Sequence, residues 1–208
     1  MSARLPLCFA VILLGAAVFS TTGCRHPMVI RYQPTWLPAV PRTSIALQVF
    51  DLRDADHGGQ TSQVGQSRGQ WGIPHGVSDS QRDVVVRTVG EATFDALAHL
   101  GISVRPGAKL LRASVRKYWM DGFVGYGASI ITQYDLLDAA GRLLWSAEIH
   151  AGSGGVSFAS VSTPNGPIFV GPQREEVERF FGSALNDLAA HAVDAFSSPG
   201  FQQALASR

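Results

Sequence analysis

Cysteine is nearly absent from this chain: Cys8 and Cys24 are the only two in 208 residues. A framework of several disulfides is therefore excluded, and so is any site built from four thiolates. Clustered zinc ligands are missing as well. None of the six histidines stands in a His-x-x-x-His or His-Glu-x-x-His spacing, and His75, His99 and His191 lie far apart. Zinc hydrolase chemistry has no support from that pattern. No nucleophile elbow is apparent either, because Ser153, between glycines, lacks the strand–turn–helix context that exposes a catalytic serine. Charge of one sign is also lacking, with 17 Lys+Arg against 16 Asp+Glu. A balanced chain shows no electrostatic footprint for nucleic acid. Finally, the one long apolar run, Leu5 to Phe19, falls short of the ~20 residues that a spanning helix needs, and Pro6 sits near its start.

What is present at the N-terminus has the order of a secretory signal. Arg4 supplies a positive n-region, Leu5 to Phe19 an apolar core, and Ser20-Thr21-Thr22-Gly23 a small-residue cleavage site directly before Cys24. A cysteine in that place resembles the bacterial lipobox, in which the thiol is acylated and becomes the mature N-terminus. The expectation is a signal peptide over 1–23 and a diacylglycerol with an N-acyl chain covalently held on Cys24, with no other cofactor. Simple cleaved secretion and an uncleaved anchor are the competing readings, and the Ser-Thr-Thr-Gly exit lacks the Lys/Arg flank that favours the latter. Arg25, rather than an acidic residue, follows the cysteine and favours the periplasmic face of the outer membrane. Removing residues 1–23 leaves 185 residues with Lys+Arg and Asp+Glu equal at 16, since Arg4 is the only charge lost. Cys8 departs with the signal, so the mature domain has no free thiol and must be stabilised by an apolar core.

Pro27, Pro34, Pro38 and Pro41 break helix and favour extended backbone, so residues 24–43 read as the lipidated cysteine and a tether, with a single α+β domain over 44–208. Alternation over Ser44–Leu52 predicts a strand. The Gly-, Gln- and Ser-rich stretch from Arg53 to Val77 reads as a mobile loop. Ser78, Asp79 and Ser80 supply capping oxygens for a helix near Ser80, which carries Val86, Val89, Thr93 and Leu97 at helical spacing and stops at Gly101. Ile102–Val104, Lys109–Trp119, Ala128–Leu137 and Arg142–His150 read as strands, the last two joined by a hairpin at Asp138–Gly141. Residues 152–172 read as irregular. From about Gln173, Val177, Phe181, Ala184, Leu185, Leu188, Ala192 and Phe196 form one apolar helical stripe, and Phe201–Ala206 adds a last turn. The order β-α-β-β-β-α implies an α+β two-layer sandwich with a mainly antiparallel sheet and two helices on one face.

With these elements in place, the chain resembles the YajG-like family of bacterial lipoproteins. The resemblance rests on the lipobox cysteine, the strand ending Asp51-Leu52-Arg53, and the helix end Leu97-Ala98-His99-Leu100-Gly101 followed by Ile102-Ser103-Val104. The strand Leu110–Val115, the hairpin around Gly141, and the long last helix followed by Phe201-Gln202-Gln203 complete it. It implies an outer-membrane lipoprotein without an assigned enzymatic activity.

Two constellations remain. Asp51, Arg53, Asp54, Asp56 and His57 could act as acid, base or cation ligands, or form a solvated strand end with Arg53 paired to a neighbour. The aromatics of the central strands could line a partner surface, since Tyr118 and Trp119 fall on opposite faces and one must turn away from the helices. Tyr118, Trp119 and Tyr126 are thus the candidate partner-binding residues, with no catalytic and no metal-binding residue assigned. The functional expectation is a non-enzymatic, lipid-anchored, periplasm-facing lipoprotein that binds or scaffolds an envelope protein or glycan and touches membrane only through its anchor. An auxiliary subunit of an envelope assembly or transport complex is one alternative. A hydrolase of envelope polymers using the Asp51–His57 cluster is the other.

Overall fold

The computed structural model describes residues 28–59, 61–68, 74–122, 127–154, 159–163, 166–170 and 174–207. Cys24 and Tyr126 lie outside them. The strands are β1 (Thr43–Asp51), β2 (Gln63–Arg68), β3 (Pro74–Ser78), β4 (Ile102–Val104), β5 (Leu110–Gly122), β6 (Gly127–Leu137), β7 (Leu143–Gly152), β8 (Ala159–Thr163) and β9 (Gly166–Val170). The helices are α1 (Val84–His99), α2 (Arg174–Ser197) and α3 (Pro199–Ala206), with a short 3-10 turn at Ala55–His57. A seven-stranded sheet (β1–β7) forms one layer and the helices form the other, the two-layer α+β sandwich expected.

Strand β5 organises the sheet. On one edge it pairs antiparallel with β6 over its whole length, and β6 continues antiparallel to β7. On the other edge it pairs in parallel with β1 through Leu110–Val115 and then with β2 through Met120–Gly122. β4 adds in parallel to the start of β1. The sheet is therefore mixed, with antiparallel pairing confined to β5–β6–β7 and the β2–β3 hairpin. The long crossovers from β1 to β4 and β5 through α1 make those pairs parallel, as a helical return across a sheet requires. Both segments expected to be irregular hold hairpins: β2–β3 extends the main sheet, and β8–β9 forms a separate two-stranded ribbon.

A bulge at Arg116 decides which aromatics are inside. Val115 pairs with Thr132 and Lys117 with Ile131, leaving Arg116 as the extra residue. One inserted residue reverses the alternation, so Leu111, Ala113 and Val115 are followed toward the helices by Tyr118 and Met120 rather than by Trp119. The helix-facing side is apolar apart from a few hydroxyls; those of Tyr118 and Tyr134 meet threonines of α1, while that of Thr132 is buried without a hydrogen-bond partner among the described residues. Tyr118 stacks on Phe181 with ring centroids 4.7 Å apart, and its hydroxyl lies 3.2 Å from that of Thr88. Tyr134 does the same one strand over, 2.8 Å from Thr93. Burial pushes both phenols well above their ordinary value. At the far end Phe196, Phe201 and Trp145 meet edge-to-face or tilted, and Lys109 caps α3 through the carbonyls of Ala204 and Leu205 at 2.9 and 2.6 Å.

The other sheet face is polar at its centre. Arg112, Asp135 and Ser146 stand in register across β5, β6 and β7, and Asp135 accepts from both neighbours at 2.8 and 2.6 Å. Burial raises the Asp135 carboxyl, and hydrogen bonds from Ser146, Arg112 and Gln133 outweigh it, holding it below its ordinary value.

Helix α1 starts later than its capping signals imply. It begins at Val84 with Asp83 in the cap position making no side-chain cap bond. Asp79 is used elsewhere, as the next subsection describes. The stop at Gly101 is as expected: φ is +71°, and a Cβ there would lie 2.7 Å from the Val40 carbonyl oxygen.

Candidate functional site: the strap and the α1 groove

The proline-rich segment is not a free spacer from Met28 onward. Met28, Ile30 and Tyr32 are buried in the main core, and residues 28–36 form a strap lying along the outer side of the helices. Three carboxylates clasp it. Glu178 accepts from the Val29 amide at 3.1 Å, Asp79 from the Ile30 amide at 2.6 Å, and Asp95 from the Tyr32 hydroxyl at 2.6 Å and the Thr35 amide at 3.2 Å. Arg87 donates to the Ile30 carbonyl at 2.9 Å, and Ser80 to that of Met28 at 2.8 Å. Beyond the single bridge of Met28 to Asp79, the extended segment satisfies its backbone amides on side chains, and these acids do so. The strap then turns at Trp36, tilted on His99 at 5.4 Å, and reaches β1 past the end of α1. Proline periodicity gave no sign of this docking; the alternation Met28, Ile30, Tyr32 is the signal that sequence reading passed over.

Burial raises the Glu178 carboxyl, but the Arg174 guanidinium and the Val29 amide outweigh it and hold it below its ordinary 4.5. Glu178 then contributes stability above pH 4.5 that is lost as pH falls below that value toward its folded pKa. Glu178→Gln is expected to melt lower than the wild type at about pH 7 and to approach it as the pH falls below 4.5, read by thermal unfolding across that range.

Beside the strap, an open groove of about 790 Å³ follows the exposed flank of α1 toward β1 and β4. Its walls are mainly apolar: Leu47, Val49, Val86, Phe94 and Val104, with Tyr32 and Pro34 on the strap side and Arg87 and Glu91 at the rim. Val86, Gly90 and Phe94 recur one turn apart on α1, and Gly90 leaves the helix close to Val49, whose Cγ2 lies 3.6 Å from where a Cβ would stand. Phe94 is 53% exposed, a large aromatic left on a helix that otherwise buries its apolar stripe. A second cavity of about 620 Å³ lies across the strap, lined by Arg31, Arg174, Glu178 and Arg179.

The candidate partner residues are placed differently from the expectation. Tyr118 points into the core, so it presents no surface. Trp119 does turn away from the helices, yet it is only 8% exposed, because the 3-10 turn folds over it and His57 meets its ring edge at 5.8 Å. An uncovered aromatic platform at Trp119 is therefore corrected to a covered one.

In the Asp51–His57 cluster Arg53 is paired to its neighbour Asp51, as the strand-end reading expects, while Asp54 and Asp56 are exposed. Arg53 is buried and uses all five guanidinium N–H donors: Nε and Nη2 on Asp51 at 2.9 and 2.8 Å, Nη1 on the carbonyls of His57 and Gln63, and Nη2 on that of Thr61. Asp54 caps the turn, accepting from the His57 amide at 2.9 Å and meeting its ring at 2.7 Å. Its carboxyl is held low, first by the His57 side chain. No group of three or more His, Cys, Asp or Glu suited to a metal ion occurs among the described residues. Gly65-Gln66-Ser67-Arg68-Gly69 does spell Gly-x-Ser-x-Gly, a string the sequence reading missed, but residues 65–68 are extended strand paired to β3, not a strand-to-helix turn. Ser153 continues the sheet, its Oγ accepting from the Ala128 amide at 2.8 Å. His191 lies 3.6 Å from Asp187, one turn away on the same helix; the side chain of His75 lies outside the described residues.

No family model matches the sequence, and no curated protein matches it. Among solved structures the chain is similar to protein XCC0632 from Xanthomonas campestris, of the DUF330 family. The TM-score is 0.52 at 17% identity, over 86% of this chain and 96% of that one. The fold is that of XCC0632. An uncharacterized protein matches with TM-score 0.50 at 12% identity, over 82% of this chain and 99% of that one. Lipoprotein GNA1162 from Neisseria meningitidis is a fainter likeness, with TM-score 0.32 at 12% identity over 55% and 84% of the two chains. None of these likenesses assigns a ligand to the groove or to the strap.

Proposed function

We propose that the protein is a YajG-like lipoprotein, acylated at Cys24 and held on the periplasmic face of the outer membrane. Its domain receives an extended apolar segment of an envelope protein in the α1 groove, without catalysis. The observation that carries the binding role is the open apolar flank of Val86 and Phe94 against Leu47, Val49 and Val104. Such a wall favours aliphatic and aromatic side chains over a glycan, which needs polar partners in number. An auxiliary subunit of an envelope complex would use the same surface. The lipobox supports the anchor, and no described helix is long and apolar enough to cross a membrane. The cluster at Asp51–His57 favours the non-enzymatic reading, because the donors of Arg53 are all spent on Asp51 and on holding a loop.

A photoreactive phenylalanine analogue at Phe94 in cells is expected to give an adduct of one discrete mass. Val86→Glu is expected to reduce that adduct by about tenfold or more through an unpaired charge in the apolar contact. Adducts of equal yield from the analogue at Leu143, or none from Phe94, would overturn the groove. The anchor is read separately: intact mass of the mature chain is expected to show acyl chains on Cys24. A Cys24→Ser variant that stays as firmly membrane-bound as the wild type would overturn it.

A further inference from the structure

The strap sets how far the domain can stand from its anchor. Four peptide steps separate Cys24 from Met28, which is 3% exposed and fixed in the core. Fully extended, four residues span at most about 14 Å. A tether of twenty residues would let the domain tumble freely above a bilayer; a leash this short holds one end of it at the headgroups. That end is defined by the strap's entry. Met28 bridges to Asp79 and accepts from Ser80, just before α1 begins, and Val29 meets Glu178 in the first turns of α2. The start of α1 lies beside the finish of β1, since Val85 and Val86 line one small cavity with Phe50, Leu52 and Arg82.

Phe50 and Leu52 are 42% and 45% exposed at this end. Arg82 stands beside them, with a long apolar stem and a charged head suited to reach phosphate. Exposed apolar side chains alone do not choose an end, because Leu37, Val40 and Leu143 are also exposed at the opposite one. Leu37 and Val40 flank Ala39, whose amide donates to Ala98 at the finish of α1, and Leu143 pairs with Leu137 where β6 finishes. The leash makes the choice. We infer that the domain sits end-on against the phospholipid bilayer that holds its anchor, with Phe50, Leu52 and Arg82 in the interface and the α1 groove running away from the membrane. This rests on the lipid-anchor reading. It adds an orientation and a second contact surface, and it points the far end of the groove into the periplasm.

The acylated Cys24 leaves no other thiol in the mature chain, so Leu52→Cys and Leu143→Cys each introduce a single labelling site. The full chain is expressed, purified from membranes, confirmed as acylated by intact mass, and labelled with an environment-sensitive fluorophore. It is then reconstituted into phosphatidylethanolamine–phosphatidylglycerol vesicles carrying a lipid-bound quencher. Quenching is expected to be about threefold or more stronger at position 52 than at 143, since only the leashed end reaches the interface. Inserting about twelve Gly/Ser residues between Arg25 and His26 is expected to bring the two sites close to equal, because a flexible spacer restores tumbling. Equal quenching in the two acylated variants without the insertion, or a difference that survives the insertion unchanged, would overturn the inference. A chain without acyl mass would instead defeat the anchor reading beneath it.

Discussion

Arg53→Ala is expected to cost the folded domain about 3–5 kcal/mol, the range for removing one partner of a buried, fully hydrogen-bonded charge pair. Arg53 is 5% exposed and donates to one carboxylate and three carbonyls. Without the guanidinium, Asp51 keeps a largely buried negative charge, and the carbonyls of His57, Thr61 and Gln63 lose the donor that gathers the loop onto β1. Lysine keeps the charge but not the planar fork, so Arg53→Lys is expected to recover less than half of the loss. Urea unfolding measures both. The same variants examine local order, because the 3-10 turn that covers Trp119 is held through this hub and the Asp54 cap. Limited proteolysis is therefore expected to cut Arg53→Ala between Asp54 and Gln63 first. A loss under about 1 kcal/mol would mean the guanidinium is no better placed than a surface ion pair.

Much of the fold was legible because it follows from local chemistry. The strands β1, β6 and β7, the stop at Gly101, the Asp138 hairpin and the stripe of α2 are set by alternation, left-handed glycine and helical period. What escaped the sequence has one physical cause in common, partners distant along the chain. Asp79 has the type and position of a helix cap, yet one oxygen of its carboxylate is taken by the Ile30 amide 49 residues away, and the other holds only the local Gln81 amide. Tyr118 and Trp119 could not be assigned to faces, because the extra residue at Arg116 that fixes the parity is defined only by pairing with β6. The glycine- and glutamine-rich stretch has loop composition and still folds into β2–β3, because the last residues of β5 offer a free edge beyond the end of β1. The groove was invisible for a related reason: Val86 stands at the helical spacing of the core stripe, and only the packing of the other elements leaves it and Phe94 exposed.

Ile30→Ala tests the element on which both the fold and the proposed orientation depend. Ile30 is fully buried in the main cluster, and deleting its side chain is expected to cost about 2–5 kcal/mol, depending on how far the strap can settle into the vacated space. The location of the loss matters more than its size. The strap is joined to the helices by Met28, Ile30, Tyr32 and the three carboxylates, while β1 is secured independently by its pairing with β4 and β5. It can therefore open as a unit while the sandwich stays closed. In the wild type the amides of Val29, Ile30 and Thr35 are expected to be protected, since each donates to a carboxylate or lies behind one. In Ile30→Ala their exchange is expected to accelerate by about thirtyfold or more, the factor that corresponds to the lower bound of the loss. Amides of β5 and β6 are expected to change far less. Uniform acceleration through the sheet would show instead that strap and sandwich unfold together, making residues 28–36 an inseparable part of the core. Selective opening would make the strap a catch: closed, it keeps the leash at four residues; open, it releases a spacer that runs from Cys24 to the start of β1.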